Sequence, residues 1–205
     1  MRGTKSLLIV TLAGCLVASA QTERGQAHAG PPANDFILRA DVANLLAANK
    51  ENVPLLLKWT EAPPAPLIDP ELNLFQTELA DIFGHLKTKE AIPFLIRNIS
   101  MHRWPMMVDV WQKGPPVVME WMPAVAALIQ IGPDAFKALI NAPYGPSTSE
   151  DRLAAVFVVS RTASSVEEKE RARQFLTGAL AEANTLRIRA EEGLRFLEYP
   201  QQQVR

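Results

Sequence analysis

Apolar residues recur along this chain with the spacing of helices. They return every third or fourth position in two neighbouring stretches, first at Leu72, Phe75, Leu79, Ile82, Phe83 and Leu86, and then at Ile92, Leu95, Ile96 and Ile99. Such spacing places apolar side chains on one face of a helix. Similar stretches cover residues 34–46, 52–59, 123–131, 134–142, 150–162, 165–180 and 186–197, and no stretch alternates convincingly with a period of two. The pattern therefore predicts an all-α protein.

Residues that favour helix ends separate these stretches. Residues 69–71 combine a capping aspartate, a proline in the first turn and an acid near the positive end of the helix dipole. Gly132 suits the end of one helix, and Pro133 suits the start of the next. Ser165 and Glu168 have the spacing of a capping box. These short breaks predict successive helices that lie side by side.

A short phrase repeats along the chain. Residues 91–98 (AIPFLIRN) are echoed by residues 135–142 (AFKALINA), more faintly by residues 53–58, and in degenerate form by residues 173–177. The copies recur at intervals of roughly 40 residues, a period that indicates one helix pair per repeat, stacked into a solenoid. The prediction is an α–α superhelix of about four helix pairs plus a C-terminal capping helix.

Two segments resemble a known family of repeats. Residues 79–86 followed by 90–96, and residues 124–140, are similar to HEAT-like repeats of the bacterial, phycobilisome-lyase-related kind. The resemblance covers about residues 71–100 and 119–142. It implies an α-solenoid that acts as a binding scaffold. A few members of the family are lyase-type chaperones or repair enzymes, but no residues of this chain carry such an activity over.

The N-terminal segment has the features of an export signal. Arg2 and Lys5 precede an apolar run over residues 7–17, and residues 18–20 (ASA) form a small-residue cleavage site. Residues 12–15 (LAGC) also resemble a lipobox, which would make Cys15 a lipidated N-terminus. Both alternatives predict an exported protein, either periplasmic or extracellular, or anchored to the membrane through Cys15. The predicted divisions are a signal peptide (1–20), a flexible leader (21–33), the solenoid domain (34–199) and a tail (200–205).

Composition limits the classes of function. A hydrophobic content of 48% is enough for a core, and a net charge of −1 without a basic patch argues against nucleic-acid binding. The chain has three histidines and one cysteine, with no metal-ligand spacing among them. It has no glycine-rich phosphate loop and no G-x-S-x-G motif. We therefore predict no cofactor and no metal.

Residues 101–122 interrupt the repeat, and we call them the insertion. They hold every methionine except Met1 and three of the four tryptophans. Methionine and tryptophan are common at adaptable binding surfaces and at hot spots of interfaces. One interpretation is therefore a partner-binding surface, with anchors at Trp104, Met106, Met107, Trp111 and Trp121. The alternative is that these side chains fold back over the helix pairs and belong to the core.

Three functions follow from these features. The first is a non-enzymatic scaffold that binds another protein in the cell envelope. The second is a carrier or chaperone for an apolar ligand, which predicts a closed apolar pocket beneath residues 104–122. The third is a lyase-like or hydrolytic enzyme, which predicts that His102, Asp109 and Glu120 converge in a cleft.

Overall fold

The computed structural model describes residues 49–63, 66–103, 111, 114–142, 148–180 and 184–199. These residues contain nine α-helices and no β-strand. The all-α prediction is confirmed for this part of the chain. The helices are α1 (Val53–Glu61), α2 (Glu71–Leu86), α3 (Ile92–Arg97), α4 (Pro115–Trp121), α5 (Pro123–Ile131), α6 (Pro133–Asn141), α7 (Ser149–Thr162), α8 (Val166–Ala179) and α9 (Asn184–Glu198).

The helices form two layers. In the first layer α2 packs on α5, α5 on α7 and α7 on α9, while in the second layer α3 contacts α6 and α6 contacts α8. The second helix of each pair also contacts the first helix of the next, as in α3 with α5, α6 with α7 and α8 with α9. This is the α–α superhelical arrangement that the repeat predicts. α1 occupies the place of the second helix in the first predicted pair, whose first helix falls outside the described residues.

Local sequence fixes the helix ends. Gly132 separates α5 from α6 with a φ of 80°, a left-handed conformation that favours glycine, and the two helices meet at 112°. The predicted capping box at Ser165 is confirmed, because its hydroxyl accepts from the Glu168 N–H and the Glu168 carboxylate accepts from the Ser165 N–H. A second capping box joins Thr148 and Asp151 at the start of α7. Both boxes satisfy N–H groups that the first turn of a helix leaves unpaired.

One continuous core runs through the described residues. Its largest fully buried side chains include Phe83 and Leu79 of α2, Leu95 of α3 and Phe136 of α6.

No single helix of the described part is long and apolar enough to cross a membrane. The bent pair α5–α6 meets that test only when its two helices are taken together, by length and composition alone.

α2 and α5 approach each other closely because small residues meet between them. A Cβ atom at Gly84 would lie 2.8 Å from the Ala127 Cα and 3.0 Å from its Cβ. α9 approaches α7 and α8 in a similar way, since a Cβ at Gly193 would lie 3.0 Å from the Ser160 Cβ. These two glycines set the spacing of helices in the first layer.

Candidate functional site

The insertion lies against the first layer of helices. Its helix α4 packs on α5, and Val118 and Met122 are fully buried there. α5 has the second layer on its other side, and every residue from Pro123 to Leu128 is buried. In its described residues, the insertion is therefore part of the folded core and covers the first-layer helix at the centre of the stack.

Arg103 joins the two ends of the insertion to each other. Its main-chain N–H donates to the Trp121 carbonyl over 3.0 Å, and its Nε–H donates to the Glu120 carbonyl over 2.9 Å. Its guanidinium also pairs with the Asp81 carboxylate and lies 3.9 Å from Glu78 Oε1, both on α2. Arg103 thus links the start of the insertion to the end of α4 and to α2.

The carboxyl group of Glu78 is perturbed at this junction. Burial raises its pKa above the usual value of 4.5, and the nearby negative charge of Asp81 raises it further. The positive charge of Arg103 acts in the opposite direction but does not reverse the shift. The surroundings of Glu78 therefore favour its neutral, protonated form.

We expect Glu78→Gln to change how stability depends on pH. Because the folded pKa is raised, protonated Glu78 adds stability that is present below pH 4.5 and lost as pH rises through the folded pKa. The variant cannot ionise, so its stability relative to the parent chain should be higher at pH 7 than at pH 4. Urea unfolding at both pH values measures this. The exposed Glu90→Gln is the control, and an equal change in the two variants would contradict the expectation.

Trp111 is a core residue and not an exposed anchor. Its side chain is only 7% exposed and packs edge-on against Phe157 of α7, with 6.0 Å between the ring centroids. The guanidinium of Arg189, on α9, lies 5.9 Å from the Trp111 ring. Contacts within the chain therefore cover the indole, and they give Trp111 a place in the core instead of the exposed position that a partner-binding anchor requires.

The other predicted anchors have different outcomes. Trp121 is partly buried at the end of α4 and packs against the core. Trp104, Met106 and Met107 lie outside the described residues, as does the predicted lipidation site Cys15. Binding to a partner stays a prediction for Trp104, Trp121 and the two methionines. Lipidation stays a prediction for Cys15.

Arg161 contacts the same Phe157 ring that Trp111 packs against, in a setting unusual for a cation. Its guanidinium lies over the Phe157 ring at 3.6 Å and 4.8 Å from the ring centroid of Phe196, so it has an aromatic ring from each of two helices. Its Nη1 donates to the Phe157 carbonyl over 3.3 Å and to the Ser160 hydroxyl over 3.0 Å. Burial lowers the pKa of Arg161 to about 10, which still leaves it charged at neutral pH.

A second arginine completes this group. Arg189 is largely buried, with a side chain 12% exposed, and forms an ion pair with Glu192 one turn later on α9. Among the described residues, no carboxylate forms an ion pair with Arg161. We call these side chains the arginine–aromatic cluster: Trp111, Phe157, Arg161, Arg189, Glu192 and Phe196.

His102 pairs with Glu150, which is not a residue that the enzyme interpretation requires. Its Nε2 lies 3.0 Å from Glu150 Oε1 at the start of α7, and its side chain is 13% exposed. Glu120 is exposed and contributes only its carbonyl to Arg103, while Asp109 lies outside the described residues. In the part of the chain that the structure describes, no three histidine, cysteine or acidic residues are arranged to hold a metal ion.

No protein-family model, curated protein or solved structure matches this chain. Function is therefore inferred from the fold and from the side-chain groups described above.

Proposed function

We propose that the protein is an exported, non-enzymatic scaffold of HEAT-like helix pairs that binds another protein. The observation that carries the proposal is the stacking of three successive helix pairs in two layers. Such a stack presents neighbouring helices side by side, which gives an extended surface for a macromolecule. The N-terminal residues support export through their signal-peptide pattern, with either cleavage after Ala20 or lipidation at Cys15.

The second layer supplies the surface on which we expect the partner. The insertion covers part of the first layer, whereas the outward sides of α3, α6 and α8 remain open to solvent. We call this the second-layer face, and its exposed polar residues include Arg97, Lys137, Asn141, Arg171 and Gln174.

The second-layer face has a mixed polar character. Arg171 of α8 donates to Asn141 Oδ1 of α6 over 2.9 Å, so polar side chains bridge neighbouring helices. Exposed acids of α8, Glu167 and Glu170, lie on the same helix as Arg171. A reversible interface is about as polar as the rest of a protein surface, so the polar character of this face fits reversible association. Because the face is built from packed helices, little conformational freedom is lost when it binds.

Capture of a partner with matched charge variants tests the proposal. The chain is cross-linked in the envelope fraction of its source, and captured proteins are compared between the parent and Lys137→Glu/Arg171→Glu. The control is Lys58→Glu/Lys89→Glu, which makes the same change of charge at two exposed lysines of α1 and the turn before α3. We expect the second-layer variant to lose a protein that both the parent and the control capture.

A third variant separates the two candidate surfaces. Trp121→Ala alters the insertion without changing charge, and circular dichroism must show that every variant remains helical. Loss of the same protein in Trp121→Ala alone would place the contact in the insertion instead of the second-layer face. If the parent captures nothing that the variants lose, the scaffold proposal fails.

A further inference from the structure

We propose that the arginine–aromatic cluster binds the carboxylate group of a ligand. The site lies between α7 and α9, with Arg161 and Arg189 as its two cations. It is separate from the second-layer face. Small molecules are enough to test it, without a protein partner.

The charge of the cluster favours a single negative charge. Two arginines and one glutamate give a net charge of 2 − 1 = +1 at neutral pH. The glutamate forms its ion pair with Arg189 and acts on Arg161 only as a nearby charge, so the surplus positive charge lies mainly on Arg161, which is largely buried. A carboxylate would neutralise this surplus, whereas a phosphate dianion would leave the half-buried group with net negative charge. Uncompensated charge in such surroundings is costly.

The hydrogen bonds of Arg161 leave the right donors available. Its Nη1 is used by the Phe157 carbonyl and the Ser160 hydroxyl, and these contacts fix the plane of the guanidinium. Its Nε–H and Nη2–H groups form no hydrogen bond within the described residues. These two nitrogens form one edge of the guanidinium, and that edge matches the two oxygens of a carboxylate in bidentate pairing.

The surroundings of the cluster indicate what accompanies the carboxylate. Aromatic rings of Trp111, Phe157 and Phe196 lie beside the two arginines, so the group next to the carboxylate would meet apolar surface. The Glu192 side chain is 42% exposed, which leaves the cluster open to solvent on that side. The same chemistry is available from an acidic amphiphile or from an aspartate or glutamate side chain beside an apolar residue of a peptide.

Titration with a matched pair of small molecules tests the site. Sodium hexanoate and hexanamide have the same apolar chain but differ in charge, and NMR follows the Trp111 indole N–H and the Arg161 Nε–H. We expect hexanoate to shift both resonances in a saturable way and hexanamide to leave them unchanged. Equal shifts from the two compounds would overturn the proposal.

Charge variants of the cluster give opposite expected effects. Arg189→Gln lowers the net charge of the cluster to zero and releases Glu192 from its ion pair, so that Glu192 competes with the ligand for Arg161. Hexanoate binding should therefore weaken at least tenfold, the scale of one charge-assisted hydrogen bond. Glu192→Gln raises the net charge to +2 and should strengthen binding. Arg173→Gln, which removes a surface arginine of α8 paired with Glu170, is the control. Unchanged affinity in both cluster variants would overturn the proposal.

A second pair of probes identifies the source of the carboxylate. The peptides N-acetyl-Leu-Asp-amide and N-acetyl-Leu-Asn-amide differ only in the acid. Tighter binding of the aspartyl peptide than of hexanoate would assign the site to a partner protein, and the reverse order would assign it to an amphiphilic ligand. If neither hexanoate nor the aspartyl peptide binds more tightly than its neutral counterpart, the cluster is not a carboxylate site.

Discussion

Replacing Met122 by alanine should lower the free energy of unfolding by about 2–5 kcal/mol, the range for truncating a fully buried methionine. Met122 is 0% exposed and lies between α4 and α5, where the insertion meets the first layer. Its loss would leave a cavity on the central helix of the stack. Urea denaturation followed by circular dichroism of the helical signal gives the free energy directly.

Glu120→Ala is the matched control for Met122→Ala. Glu120 lies two positions earlier, is exposed, and uses only its main-chain carbonyl to bind Arg103. Exposed substitutions of this kind usually change stability by less than about 0.5 kcal/mol. Equal effects in the two variants would show that the insertion does not contribute to the cooperative core.

Alanine at two helical glycines should change stability in opposite directions. Gly84→Ala should destabilise the chain by about 1–3 kcal/mol, because its new Cβ meets the main chain of Ala127 at 2.8 Å and the two helices must move apart. Gly178→Ala should stabilise it by about 0.4–1 kcal/mol, since nothing lies within 4 Å of the added methyl and the unfolded chain loses freedom.

Thermal unfolding of both glycine variants beside the parent measures this contrast. The chemical change is the same at both positions, so a difference in sign isolates the contact between α2 and α5. If Gly84→Ala proves as stable as Gly178→Ala, these helices do not depend on the close approach at Gly84.

The sequence was most informative where local chemistry decides the structure. The apolar spacing after Leu72 gives α2, Gly132 gives the turn between α5 and α6, and the capping-box pattern at Ser165 gives the start of α8. Each signal depends on residues within a turn or two of one another. The repeat period predicted that the helices stack, because a phrase that recurs at regular intervals implies equivalent helix pairs.

It was harder to predict that the insertion covers the first layer, although one feature of the sequence indicates it. The stretch from Pro123 to Leu128 is apolar on every side, which is typical of a helix that is buried all round. The repeat pattern predicts only its face toward the rest of the stack. The apolar residues on its other side require a cover, and the insertion that follows α3 supplies it through Val118 and Met122.

The arginine–aromatic cluster could not be predicted from spacing. Trp111 belongs to the insertion, Phe157 to α7 and Arg189 to α9, so its members are far apart along the chain. Only tertiary packing brings them together. The one local signal is Arg161, which directly follows a run of buried residues over 154–160 on α7 and is itself largely covered. A charged residue at that position invites the question of what surrounds it, but sequence alone gives no answer.

The bonds from Arg103 to both Glu120 and Trp121 give the insertion a fixed base. Its two ends meet at the point where the chain leaves one helix pair and enters the next. For a segment tethered in this way, the entropy of closure depends only slowly on length, and each doubling costs about 0.6 kcal/mol. A longer insertion would therefore cost little additional closure entropy, because Arg103 holds its two ends together. The insertion is the site where such a chain can gain new sequence during evolution, or accept a grafted loop, while the stack keeps its register.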